Sequence, residues 1–177
     1  MTLQPIPHSE HLIVVVGPSG AGKDSVLGAW RKRLGGQPVA FAQRVVTRPP
    51  DPHEPHEAMG PAAFQHAAAT GEFATWWSAH GLHYGVRWRE LMPLAHARWV
   101  VLNGSRVHLP SLRRQAPSLH AVEITAPPEL RARRLALRDR EDMHGAALPL
   151  ARQAPAEVAL TIHNDAELPA AVDALHA

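Results

Sequence analysis

Short β-rich runs alternate with helical stretches along most of the chain. Leu12-Ile13-Val14-Val15-Val16 and Val100-Val101-Leu102 are the plainest apolar runs. The pattern predicts strands over 11–16, 39–46, 98–103, 119–125 and 158–163, and helices over 23–34, 87–97, 106–115, 127–139 and 166–176. Such alternation predicts an α/β fold with a parallel five-stranded sheet flanked by helices. Two regions break the rhythm. Residues 49–61 carry Pro49, Pro50, Pro52, Pro55 and Pro61, a turn-rich loop; 139–155 begin charged and end Leu148-Pro149-Leu150-Ala151-Arg152. Residues 62–86 read as an insertion with a short helix and a tryptophan-bearing pair of strands. No internal repeat or low-complexity tract interrupts the 177 residues, which are expected to form one domain.

The first strand leads into Gly17-Pro18-Ser19-Gly20-Ala21-Gly22-Lys23-Asp24. This is a Walker A phosphate loop, G-x-x-x-x-G-K-[S/T], with Asp24 in the hydroxyl position. Its glycines let successive backbone N–H groups face anionic oxygens, and the helix that follows adds partial positive charge. Gly35-Gly36 ends that helix. Lys23 brings a mobile full charge for β- and γ-phosphates. A hydroxyl after the lysine ordinarily ligates Mg²⁺. Asp24 offers a carboxylate instead, and Ser25, one residue on, is the alternative metal ligand. The loop predicts binding of a nucleoside triphosphate.

Charge and composition add modest constraints. The formal net charge is +2 and the pI about 9.7, with arginine dominating the bases; Lys23 and Lys32 are the only lysines. Arginine is the better planar clamp for phosphate, so the bias fits a phosphorylated substrate, though GC-rich coding gives the same bias. There are no cysteines, which excludes disulfides and thiolate metal sites. The thirteen histidines show no metal-ligand spacing and read mostly as surface residues. Without a signal pattern or an apolar run near the ~20 residues of a membrane span, a cytoplasmic protein is expected.

Several motifs in order carry a resemblance. They are the loop with Asp24-Ser25, Arg44-Val45-Val46-Thr47-Arg48-Pro49, Trp77-Ser78-Ala79-His80-Gly81-Leu82-His83-Tyr84-Gly85 and Asn103-Gly104-Ser105-Arg106. Towards the C-terminus come Arg134-Leu135-Ala136-Leu137-Arg138-Asp139-Arg140-Glu141 and Ile162-His163-Asn164-Asp165-Ala166-Glu167-Leu168. From about residue 11 to its end the chain resembles the guanylate kinase superfamily. Within it, the chain is most similar to the ribose 1,5-bisphosphate phosphokinases of phosphonate utilisation. That resemblance implies transfer of the ATP γ-phosphoryl group to ribose 1,5-bisphosphate, giving 5-phosphoribosyl 1-diphosphate and ADP. The nucleophile is then an oxygen of the 1-phosphate, already anionic near neutral pH, so positioning and charge neutralisation matter more than a general base.

The same resemblance implies roles for single residues. Gly17, Pro18, Ser19, Gly20, Ala21, Gly22, Lys23, Asp24 and Ser25 would hold ATP and Mg²⁺, with Asn164 bordering the adenine or capping the last helix. Arg134, together with Arg138 and Arg140 on a lid over about 138–153, would join Lys23 in catalysis. Arg44 and Arg48 would clamp acceptor phosphates, Arg48 within an acceptor-binding insertion over about 47–86 that also carries the acceptor-binding His80 and Tyr84. Tyr84 is open to packing on Trp76 and Trp77 as well. Asn103 and Ser105, at a strand's C-terminal end where α/β folds place ligands, would bind the acceptor as well. Expected partners are the small-molecule substrate alone, with no nucleic acid or membrane, and a homodimer is allowed.

Departures from the guanylate kinase pattern shape the rival readings. Thr75 stands where those enzymes carry the acidic residue that reads guanine, and Asp51 replaces a second arginine. Both argue against a nucleoside monophosphate kinase. Gly145 and Pro149 interrupt the lid, with Arg152 as a displaced equivalent. A broken lid favours a third reading, a catalytically weak nucleotide-binding or scaffolding module, which the intact Lys23 and the arginines oppose.

Overall fold

The computed structural model describes residues 4–50, 55–141 and 157–177, and side chains of 138–141 lie outside the description. Asp51, Gly145, Pro149, Arg152 and nearly all of the expected lid therefore lie outside the described residues. Among the described residues, nine strands form two sheets. The first has the order β2-β7-β1-β8-β9, from β1 (Leu12–Val16), β2 (Val39–Phe41), β7 (Trp99–Asn103), β8 (His120–Thr125) and β9 (Leu160–His163). It is the expected parallel five-stranded sheet, with β2 in register on β7 and β8 on β9. The second has the order β4-β3-β6-β5, from β3 (Arg44–Val46), β4 (Glu57–Ala58), β5 (Phe73–Ala79) and β6 (Leu82–Arg87).

The single strand expected over 39–46 is two strands in different sheets. The break falls at Ala42-Gln43, which contain no breaker residue. Ala42 N–H still donates to the Val101 carbonyl at 2.9 Å, but Gln43 N–H goes to the Glu90 carboxylate at 3.0 Å. A tertiary partner thus ends one strand and releases the chain to the other sheet. The helix expected over 87–97 is a single turn, α3 (Trp88–Leu91), followed by a 3₁₀ segment, Met92–His96. Pro93 lacks the N–H an α-helix needs there. The helix expected from 106 begins later, as α4 (Leu109–Gln115).

The chain divides into two compact units, one of residues 1–14, 36–102 and 110–120, the other of 15–35, 103–109 and 121–177. In the first, α2 (Pro61–Ala69) buries Phe64, Ala67 and Ala68 with Val45 and Phe73 in one apolar cluster. Gly85 is required beneath it: a Cβ there would stand 2.8 Å from the Phe73 ring. In the second, α1 (Lys23–Leu34) buries Val26, Leu27, Trp30 and Leu34, and α6 (Leu168–His176) buries Ala171 and Val172. Trp30 Nε1–H donates to His176 Nδ1 at 3.4 Å and Arg33 pairs with Asp173, joining the two helices. No helix among the described residues is long and apolar enough to cross a membrane.

Candidate functional site

The phosphate loop lies in the second unit, between β1 and α1. Gly17 passes so close to the Ile124 carbonyl that a Cβ would overlap it, so only glycine fits. Gly22, the N-cap of α1, has φ of 82°, and a Cβ would meet Asn164 Nδ2 at 2.5 Å. Lys23 Nζ donates to the carbonyls of Gly17 at 3.0 Å and Pro18 at 3.4 Å. Its ammonium therefore sits against the loop it is expected to serve.

The loop's remaining carbonyls are held by α5 (Pro128–Glu141) and by Asn164. Arg131 Nε donates to Ser19 at 3.0 Å. Arg134 Nη1 lies 3.5 Å from the Gly20 oxygen and 3.3 Å from that of Ala21, while Nη2 donates to the Asn164 carbonyl at 3.1 Å. Asn164, 4% exposed, donates Nδ2–H to Ala21 at 2.8 Å. A trans peptide points its C=O and N–H in opposite directions. Holding these carbonyls thus turns the N–H groups of Gly20 and Gly22 away from α5, towards where an anion would bind, while the Ala21 N–H donates to the Pro18 carbonyl at 3.3 Å.

Asn164 is not the helix cap that sequence allowed: the N-cap of α6 is Glu167. Arg131 was indistinguishable from its neighbours in sequence, and its loop contact comes from the helix face alone. Arg138 and Arg140 belong to α5, with side chains outside the description. At the other side of the loop, Asn103 Nδ2 donates to Asp24 Oδ1 at 2.6 Å. Ser25 is exposed and Ser105 half-buried. Arg106 pairs with Glu123, both side chains mostly buried. The pair was missed in sequence; its signal was a lone acid inside the apolar run of β8.

The first unit holds the expected acceptor residues. Trp77 and Tyr84 face each other across β5 and β6 and stack at 5.5 Å with 8° between planes. The Arg44 guanidinium lies 5.6 Å from the Tyr84 ring centroid, a cation–π contact. Tyr84 thus packs on Trp77 and meets Arg44, so the two sequence readings of its role are compatible. Arg48 helps line a cavity of about 320 Å³ with Pro49, Ala58, Met59 and Pro61. Buried His56 fixes the turn there, donating Nε2–H to the Pro49 carbonyl at 3.0 Å. It is one histidine that the surface reading missed. His80 sits at the exposed tip of the β5–β6 hairpin with φ of 55°. His83 is better anchored: its N–H donates to Thr47 Oγ1 at 2.8 Å and its Nδ1 lies 2.7 Å from the Ser78 hydroxyl.

Thr75 is 3% exposed, and its hydroxyl donates to Gln115 Oε1 at 3.1 Å. Gln115 in turn donates to the carbonyls of Ala74 and Gln4. The hydroxyl at position 75 is therefore used inside the unit. A further charge cluster, not foreseen, ties β6 to β4 and to the turn before β5. Arg87 makes a two-pronged contact with Glu57 at 2.6 and 3.1 Å and reaches Glu72 at 2.6 Å, and Arg89 also meets Glu57. The Arg87 hydrogen bond holds the Glu57 carboxyl below the usual range, against a smaller opposing effect of burial. Among the described residues, no three or more His, Cys, Asp or Glu side chains cluster to hold a metal.

These geometries can be set beside known proteins. Over 162 residues the chain is 45% identical to ribose 1,5-bisphosphate phosphokinase PhnN of Acidiphilium cryptum, covering 90% of this chain and 87% of that one. The chain belongs to the ribose 1,5-bisphosphate phosphokinase family. A family member of the same name from Thiobacillus denitrificans is 44% identical over 163 residues, covering 89% of this chain and 86% of that one. The family also includes longer proteins: the chain is 45% identical to one from Laribacter hongkongensis but spans 41% of its length. Its fold is that of a solved guanylate kinase from Anaplasma phagocytophilum, at TM-score 0.67 and 18% identity over 98% of this chain and 85% of that one. No family model matches the chain. Members of this phosphokinase family are kinases, so a nucleotide is the expected phosphoryl donor here too.

Proposed function

We propose that the chain transfers the γ-phosphoryl group of ATP to ribose 1,5-bisphosphate, forming 5-phosphoribosyl 1-diphosphate and ADP in phosphonate breakdown within the cytoplasm. The observation that carries this reading is the 45% identity, over 90% of the chain, to a relative named for that substrate. An oxygen of the acceptor's 1-phosphate attacks the γ-phosphorus. The bond to the β,γ-bridging oxygen breaks, and ADP leaves with the electron pair.

In this reading the N–H groups of the loop from Gly17 to Lys23 hold the donor phosphates. Lys23 exchanges its carbonyl contacts for phosphate oxygens. Arg134, already beside the loop, neutralises charge as the transfer proceeds, with Arg138 and Arg140 assigned the same duty from sequence. Arg44, Arg48, His80 and Tyr84 bind the acceptor, where two phosphates call for more cationic clamps than one. Arg44 is kept in place by the Tyr84 ring, whose other partner is Trp77. Ser105 keeps its assignment to the acceptor.

The residues present fit Mg²⁺: Asp24 supplies a hard oxygen donor at the loop, steadied by Asn103, with Ser25 as the alternative. The ion would neutralise charge developing on the donor phosphates. Against GMP as acceptor stands Thr75, buried and bonded to Gln115. A Lys23→Ala variant tests the donor assignment. It should keep its fold and lose nearly all turnover of ATP with ribose 1,5-bisphosphate, whereas full activity would overturn the assignment.

A further inference from the structure

Phosphate loops ordinarily divide the work of metal holding between two positions. A Ser or Thr follows the lysine, and an aspartate stands on a strand beside the loop. Here the residue after Lys23 is Asp24, and β7 ends at Asn103. The two side chains meet: Asn103 Nδ2 donates to Asp24 Oδ1 at 2.6 Å. An amide N–H donating to an ionised carboxylate is a charge-assisted hydrogen bond.

We propose that the two positions have exchanged duties. Asp24 supplies the one carboxylate of the metal site, and Asn103 is the positioning residue that aims it. The inference rests on the kinase reading above and deepens it.

Three arguments support the exchange. The charge balance is the same in both arrangements: hydroxyl with carboxylate, or carboxylate with amide, each brings a single negative charge towards an already anionic nucleotide. The chemistry of the contact is one-sided, because an amide N–H₂ can donate to Asp24 while an aspartate at 103 could not. Two carboxylate oxygens at this separation cannot both ionise cheaply. Finally, Asp24 is in the first turn of α1, where the helix N-terminus favours a carboxylate. The unusual residue at 24 and the neutral residue at 103 are thus one feature, not two defects.

The test is a swap. Mn²⁺ binding to the full chain loaded with ADP is read from the electron paramagnetic resonance of free Mn²⁺. ADP binding without metal and thermal melting are measured on every variant. Asp24→Thr removes the carboxylate ligand and should weaken Mn²⁺ binding, and Asn103→Asp, which disturbs the ligand's partner, should weaken it by about 10- to 100-fold. The double variant Asp24→Thr/Asn103→Asp should bind Mn²⁺ more tightly than either single variant. Should Asp24→Thr melt below the assay temperature, Asp24→Asn keeps the shape and carries the same expectation. Unchanged Mn²⁺ affinity in Asp24→Thr, or a double variant no tighter than Asp24→Thr, would overturn the exchange while leaving the kinase reading intact. Failure of the native chain to bind ADP at all would instead overturn the kinase reading.

Discussion

Replacing Asn164 by alanine removes a neutral side chain that holds the phosphate loop by a buried contact. The amide is 4% exposed and donates to the Ala21 carbonyl at 2.8 Å. Losing a partner for a buried polar group costs about 1–3 kcal/mol. Here the lower half of that range is expected, because Arg134 Nη1 lies 3.3 Å from the same oxygen and keeps it partly satisfied. If the loss falls on the fold, the urea midpoint drops with an unchanged slope. If it falls on the loop alone, the fold keeps its stability and ADP affinity drops, about tenfold for each 1.4 kcal/mol. Denaturation and calorimetric titration with ADP, run on the same preparation, separate the two routes. A variant unchanged on both measures to within about 0.5 kcal/mol, the range of ordinary surface changes, would refute the role given to Asn164. Arg134→Ala and the double variant complete a cycle, and the two losses should not add, since both residues hold Ala21.

Two other expectations follow from the first unit. Tyr84→Phe keeps the stack on Trp77 and the ring under Arg44, so stability should change little while the KM for the acceptor rises; an unchanged KM in steady-state assays would reduce Tyr84 to packing. Glu57 has its pKa lowered in the folded chain, first by the Arg87 hydrogen bond. Its stabilisation is therefore present above the unfolded glutamate value of about 4.3 and lost as pH falls through the lowered folded value. Arg87→Ala should shrink the difference in stability between neutral and acid pH in denaturation series, and an identical pH profile would contradict the pairing.

The parts of the fold that sequence made legible are those fixed locally. The apolar run of β1 and the glycine stop at Gly35-Gly36 each act within a few residues, and each stands where expected; the loop glycines stand there too, though Gly17 and Gly22 also answer to the distant Ile124 and Asn164. The split between β2 and β3 was illegible because Ala42-Gln43 carry no local signal; the Glu90 carboxylate, 47 positions away, decides it. The site divides the same way. Lys23, Asp24 and Arg44 announced themselves by motif. Arg131 and the Arg87 cluster did not, since only the packed helix face or sheet reveals which arginine meets which partner. Thr75 lies between the two cases. Its identity was informative in sequence, but its bond to Gln115 was not foreseeable.

The central claim is the acceptor. The most direct measurement follows ADP release when the purified chain is given ATP and Mg²⁺ with either ribose 1,5-bisphosphate or GMP, with the product identified by mass spectrometry. The account predicts 5-phosphoribosyl 1-diphosphate from the first acceptor and no GDP from the second. Turnover of GMP without turnover of the bisphosphate would contradict it.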